Sequence, residues 1–301
     1  MKIQPYILTA LLIFLCFPMA ARAADAADAT RVAELKSLAN RLKYQEGQIE
    51  LPNGLATIRL TEGFRYLDPA GTETVLTGIW GNPSAGRRTL GMIVPAGFNP
   101  FGRDSWCVVV QFEEDGYVKD SDADSLNYTK LLKQMKESTR EASAERVKNG
   151  YSPIELVGWA TPPRYDKQTH KFYWAKELKF GDSEENTLNY NLRILGRRGI
   201  LVLNVVSSMT QFPEVEKSTP EILAMVDFNS GHQYADYTPG TDKLATYGLA
   251  ALVVGGIAAK TGLLKGIFLG LLAMKKFLII GVIAVLALLK KLLGGRSAAQ
   301  D

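Results

Sequence analysis

The 301-residue chain is 47% hydrophobic and 22% charged, with a formal net charge of +4. Eight lysines and arginines against Asp301 give residues 243–301 a net +7; with Lys2 and Arg22 set aside, residues 24–242 carry a net −5. That acidic body removes the main support for nucleic-acid binding, and its length of about 220 residues suffices for one well-packed core.

The start of the chain has the pattern of an export signal. Lys2 precedes an apolar run over residues 6–17, and Ala21-Arg22-Ala23 matches a small-residue cleavage site, so residues 1–23 are expected to be removed. Cys107 is then the only cysteine, which leaves no intramolecular disulfide. It lies in an apolar run beside Trp106, where a buried, inert thiol is expected.

In the exported body, Val32, Leu35, Leu38 and Leu42 recur at helical spacing and predict a short amphipathic helix near 30–45. "IELPNGLATIRL" follows, and Asn53-Gly54 is a strong hairpin signal because both central residues of a type I′ turn need positive φ. "FRYLD" predicts a strand, and residues 69–79 a helix that stops at "WGNP". "LGMIVP" and "WCVVVQFEE" predict further strands, and Tyr128, Leu131, Leu132, Met135 and Ala142 predict a helix running to about Lys148.

Before that helix lies "EEDGYVKDSDADSLNY", with Asp120, Asp122 and Asp124 alternating. A calcium loop starting at Asp120 would need Gly and Glu where Ser125 and Leu131 stand. The expectation is instead that these acids cap the helix that follows.

"KFYWAKELKF" places Phe172, Trp174, Leu178 and Phe180 on one face, with Lys176 as the exception. In "TLNYNLRIL", Leu188, Tyr190, Leu192 and Ile194 face one way and Asn189, Asn191 and Arg193 the other. That polar row reads either as a solvated sheet face or as a binding surface. Gly196-Arg197-Arg198-Gly199 turns the chain into "ILVLNVV", apolar on both faces and so a central strand. Thr219-Pro220-Glu221 predicts a helix start. Hairpin-linked strands with helices between groups indicate an α+β fold with a largely antiparallel sheet, in one domain over 24–242.

From residue 243 onward the chain is almost wholly apolar. Residues 244–264 and 277–293 each reach the length of a membrane span if their terminal lysines snorkel. Between them Gly262, Gly266 and Gly270 form a small-residue face suited to helix self-association. A transmembrane hairpin with the loop from Lys260 to Lys276 inside and Asp301 outside is expected, with a single span as the alternative. The bilayer is thus an expected partner.

Catalytic signatures are sparse. His170, His232 and Cys107 show no zinc spacing, no glycine-rich phosphate loop or nucleophile elbow is present, and no cofactor is expected. The densest chemistry lies in "PPRYDKQTHKFYW", where Arg164, Tyr165, Asp166, His170 and Tyr173 gather within ten residues. Asp166 and Thr169 also suit a turn between two strands, with His170 starting the second.

"LDPAGTETVLTGIWGNP", "EEDGYVKDSDADSLNYTKLLKQM", "GWATPPRYDKQTHKFYWAKEL" and "TLNYNLRILGRRGILVLNVV" together resemble the membrane-anchored bacterial family known as domain of unknown function 2167. The resemblance spans about residues 45–290 and implies an exported domain tethered to the bacterial inner membrane, facing the periplasm. It implies no catalytic residue. Two functions follow as expectations: a binding module that contacts an envelope protein or wall component, and an envelope hydrolase using Asp115, Asp120 or Asp166 with Tyr165 or His170.

Overall fold

A computed structural model of the chain describes residues 30–82, 89–102, 105–148, 150 and 152–254. It divides into two compact units. In the first, residues 30–40 form helix α1, as the leucine spacing predicts.

The second unit, described from residue 42, begins with β1 (Tyr44–Gln45), β2 (Gln48–Glu50) and β3 (Ala56–Arg59). Asn53 and Gly54 have φ of 60° and 62°, and β2 pairs antiparallel with β3 around them, so the expected hairpin is present. Then come β4 (Phe64–Leu67) and α2 (Pro69–Glu73), which runs into a π-helical turn over Thr74–Ile79 and stops at Trp80. Asp68 starts α2 by accepting from Gly71 N–H at 2.7 Å. The middle of the chain forms β5 (Gly91–Pro95), β6 (Val108–Glu113), β7 (Tyr117–Lys119) and α3 (Tyr128–Lys148). Four long strands follow: β8 (Ile154–Asp166), β9 (Lys171–Phe180), β10 (Thr187–Leu195) and β11 (Ile200–Ser208). The described chain closes with α4 (Phe212–Met225), β12 (Val226–Phe228), β13 (Leu244–Gly248) and α5 (Leu249–Val254).

Eight strands make one sheet in the order β1-β4-β5-β6-β11-β10-β9-β8, with every pairing antiparallel. A second sheet, β12-β3-β2, and a parallel pair, β13-β7, complete the α+β fold. The doubly apolar "ILVLNVV" is β11, near the middle of the large sheet as expected. On one face Leu188, Tyr190, Leu192 and Ile194 pack with Val215, Ile222 and Met225 of α4 and with Ile58 of β3. On the other, Phe172, Trp174 and Val202 pack with Leu131 and Met135 of α3 and with Leu249, Leu252 and Val253 of α5. A third cluster holds Val75, Trp80, Met92, Phe98 and Cys107. Complete burial pushes the Cys107 thiol up to about 12, so it stays protonated and inert, as expected.

Three expectations are corrected. Helix α4 starts at Phe212, with Pro213 in its first turn, and Pro220 lies inside it. Both prolines resemble start signals, but Val215 packs into the core ahead of Pro220, so burial extends the helix across a residue that cannot donate. The first expected membrane span cannot begin at residue 244. Leu244–Gly248 is a strand paired with β7, and the helix starts at Leu249. Among the described residues, no helix is long and apolar enough to cross a membrane. The rest of that segment, the segment 277–293, the Gly262, Gly266 and Gly270 face and the expected signal lie outside the described residues. Finally, the acidic residues ahead of α3 do not cap it. Asn127 does, accepting from Lys130 N–H at 2.9 Å.

Candidate functional site at the tip of β8 and β9

The sequence candidates divide between two places. The first is the tip joining β8 to β9, where Asp166 organises the turn. Its carboxylate accepts from Gln168 N–H at 2.8 Å and from the Thr169 hydroxyl at 2.8 Å. The Thr169 hydroxyl, followed by the backbone donors, holds the Asp166 carboxyl below its ordinary value. Asp166 is the turn residue that its sequence suggests. Arg164 is exposed and pairs with Tyr173, whereas Tyr165 pairs with Phe172, so alternation directs Arg164 and Tyr165 to opposite faces of β8.

Tyr165 and His170 meet the acidic segment that precedes α3. The Tyr165 hydroxyl donates to Asp120 Oδ2 at 2.8 Å and lies 3.0 Å from His170 Nδ1. With its hydrogen directed to Asp120, the phenol oxygen accepts from His170 Nδ1–H. His170 Nδ1 also lies 3.7 Å from Asp120 Oδ2, with 27% of the His170 and 29% of the Asp120 side chain exposed. Burial first, then the hydrogen bond to Asp120, raises the Tyr165 pKa, so the phenol stays neutral and positions its neighbours.

His170 does not start the strand as expected: β9 begins at Lys171, and His170 is the last residue of the turn. Its φ of 53° lies in the left-handed region, an unusual conformation for a residue with a side chain. Its ring stacks on Tyr234 at 4.0 Å between centroids; Tyr234 stacks on Tyr117 at 4.4 Å, and Tyr117 on Tyr237 at 3.9 Å. The Tyr234 hydroxyl donates to Val118 O at 2.9 Å, which fastens this column to β7.

The three alternating aspartates serve different partners. Asp120 holds Tyr165, Asp124 pairs with Lys167, and both oxygens of Asp122 accept from the start of α5, at 3.1 Å from Leu249 N–H and 3.1 Å from Ala250 N–H. The capping role expected for this segment therefore exists, but on a helix about 125 residues further along the chain. Among the described residues, no group of three His, Cys, Asp or Glu side chains converges to hold a metal.

Removing the phenol hydroxyl tests this arrangement. Tyr165→Phe keeps the edge contact with Phe172 and leaves Asp120 and His170 without their shared partner. It is expected to cost about 1–2 kcal/mol in denaturant unfolding and to speed amide exchange across residues 166–170. A variant with wild-type stability and exchange would show that the contact is idle.

The second place is the large sheet. Asn189 and Asn191 are 8% and 6% exposed, so the polar row of β10 is not a solvated face. Arg193 lies 5.3 Å above the Trp174 ring and donates to Asn204 Oδ1 at 3.1 Å. The row is polar because it meets buried partners, a distinction that alternation alone cannot make.

The model of the family described as "Protein of unknown function (DUF2167)" matches residues 43–286, which covers every residue of both places. The chain belongs to that family. No curated protein matches it. Among solved structures it is similar to cyanobacterial PsbP (CyanoP) from Synechocystis sp. PCC 6803, at 11% identity over 62% of this chain and 92% of that one, with a TM-score of 0.34. It is also similar to the Saccharomyces cerevisiae Ran-binding protein Mog1p, at 12% identity over 65% of this chain and 100% of that one, with a TM-score of 0.32. Neither likeness is close enough to bear on function.

Sequence reasoning missed Tyr117, Tyr234 and Tyr237 in this DUF2167 protein. They come from β7 and a loop more than 100 residues later, and no local pattern joins them. The one available signal was their setting: "DGYVKD" and "HQYADYTP" place tyrosines beside acids in turn-rich segments.

Proposed function

We propose that the protein is an exported, membrane-anchored interaction module of the bacterial envelope, and that the β8–β9 tip is its recognition surface. One observation carries this reading. Residues 166–169 are exposed, while the turn beneath them is held by Asp166, by the Lys167–Asp124 pair and by His170 wedged between Tyr165 and Tyr234. An exposed loop on a fixed base loses little conformational freedom when it meets a partner, which favours binding. The apolar sequence beyond residue 254 supports attachment to the bilayer, with the domain on the periplasmic side of the inner membrane.

Placing a photo-cross-linking residue at Gln168 in living cells tests the tip. A discrete adduct with an envelope protein or wall fragment is expected there and not from Lys136 on the exposed side of α3. Equal labelling from both positions would remove the tip as the recognition surface. Anchoring is tested by a cysteine inserted after Gly295 in a Cys107→Ser background, which is expected to react with an impermeant maleimide in intact spheroplasts. Labelling only after permeabilisation would replace the hairpin with a single span.

A second reading, an envelope hydrolase, rests on the contact of Asp120, Tyr165 and His170. Glycoside hydrolysis needs two carboxylates about 5–9 Å apart across the scissile bond. In this contact Asp120 supplies one carboxylate, while Asp166 is committed to its turn and Asp115 to Tyr247 at 2.8 Å. The binding reading is therefore preferred.

A further inference from the structure

Residues 115–124 carry two sets of contacts that face different parts of the protein. Toward the tip, Asp120 accepts from Tyr165 at 2.8 Å, Asp124 pairs with Lys167, and Tyr117 and Val118 hold Tyr234, on which His170 stacks. Toward the C-terminal segment 244–254, Tyr117 N–H donates to Lys243 O at 2.8 Å and Asp115 accepts from the Tyr247 hydroxyl at 2.8 Å. Asp122 accepts from Leu249 and Ala250 N–H on the same side. The two sets interleave along the chain. Among the described residues, β7 pairs with no strand of the large sheet; its partner is β13.

The stretch has little slack. Asp120 and Asp122 are two residues apart, a span of at most about 7 Å. Ala123 N–H donates to Asp120 O and Ser125 N–H to Asp122 O, each at 3.0 Å, so one hydrogen-bonded turn bears both carboxylates. A shift of Asp120 is therefore carried to Asp122, and from there to the first N–H groups of α5. His170 supplies a reason for the tip to shift. Its left-handed backbone, at φ 53°, is strained for a residue with a Cβ, and the contacts of its ring with Tyr165 and Tyr234 hold it there. When those contacts open, the backbone relaxes, and the tip has a second arrangement available.

We propose that residues 115–124 are a relay that couples the tip to the base of the C-terminal segment, so that loosening one loosens the other. Such coupling is reciprocal: whatever the tip contributes to the docking of residues 244–250, that segment returns to the tip. The relay is a property of the folded chain and stands whether or not the tip is a recognition surface. Its use, reporting occupancy of the tip to the chain that continues into the apolar sequence beyond residue 254, rests on the recognition reading above.

Hydrogen exchange of the full chain in detergent micelles tests the relay. Tyr165→Phe is expected to speed exchange across residues 244–250 by about threefold to tenfold, although no contact joins Tyr165 to that segment among the described residues. His170→Asn, which tolerates the left-handed backbone but gives up the ring contacts, is expected to do the same, and it decides if Tyr165→Phe does not fold. In return, Tyr247→Phe, which removes the hydrogen bond to Asp115, is expected to speed exchange across residues 166–170. The double variant Tyr165→Phe/Tyr247→Phe is expected to fall short of the product of the single effects. Asp68→Ala, which removes the cap of α2, controls for general loss of stability and is expected to leave both segments unchanged. Unchanged exchange at 244–250 in the tip variants, or the same acceleration from Asp68→Ala, overturns the relay. The Gln168 cross-link is read separately: an adduct without coupling keeps the recognition surface and removes the relay, and coupling without an adduct does the reverse.

Discussion

Lys176→Met is expected to stabilise the folded chain by on the order of 3 kcal/mol at pH 7. The lysine is 8% exposed on the inner part of β9, and burial together with Arg193 brings its pKa from an ordinary 10.5 down to about 8. Below pH 8 both the folded and unfolded chains carry the proton, so the full penalty of burying the charge is present. Between about pH 8 and 10.5 the fold releases a proton that the unfolded chain retains, and wild-type stability gains as pH rises. Above that window neither state is charged at this position, and the penalty is gone. Methionine fills similar volume without a charge, so its advantage is expected to be largest at pH 7 and to vanish by about pH 10.5. Denaturant unfolding of both proteins at the two pH values measures this. An advantage independent of pH would place its origin in packing and not in the buried ammonium.

That lysine also marks what a sequence can and cannot disclose. Alternation in "KFYWAKELKF" identifies Lys176 as the odd residue on an apolar face, and the structure keeps it on that face. Period-two patterns likewise reveal β10, and the doubly apolar run reveals β11, because burial on one or both faces leaves a local trace. β8 leaves none. Its pairing with β9 slips at three places, and Pro162 and Pro163 interrupt any regular alternation, which an edge strand tolerates. The tip was readable as a turn from Asp166 and Thr169. Its partners were not, because Asp120 is 45 residues away and Tyr234 a further stretch beyond His170 in the other direction. The same limit explains the misplaced cap: acids ahead of a helix predict a local partner, and Asp122 instead serves a helix brought to it by β13.

Gly116→Ala is expected to release that C-terminal segment. Gly116 has φ of 105°, a conformation that side chains rarely adopt, and an added Cβ would lie 2.6 Å from Lys243 O and 3.0 Å from Ala245 N. Both contacts are backbone, so no rotamer change relieves them. They fall where Tyr117 N–H donates to Lys243 O at 2.8 Å, the bond that starts the β7–β13 pair. Strain and clash together are expected to cost about 3 kcal/mol, more than two parallel bridges return. β13 would separate first, and the Asp122 cap on α5 would follow, because Gly248 sits directly against the Asp122 carboxylate. The eight-stranded sheet does not depend on β13 and is expected to persist. Hydrogen exchange of the full chain is therefore expected to show rapid exchange across residues 244–254 with β9, β10 and β11 still protected. Uniform loss of protection would mean that the β7–β13 junction is part of the global core, and unchanged protection at 244–254 would mean that the junction yields to the new methyl group without opening.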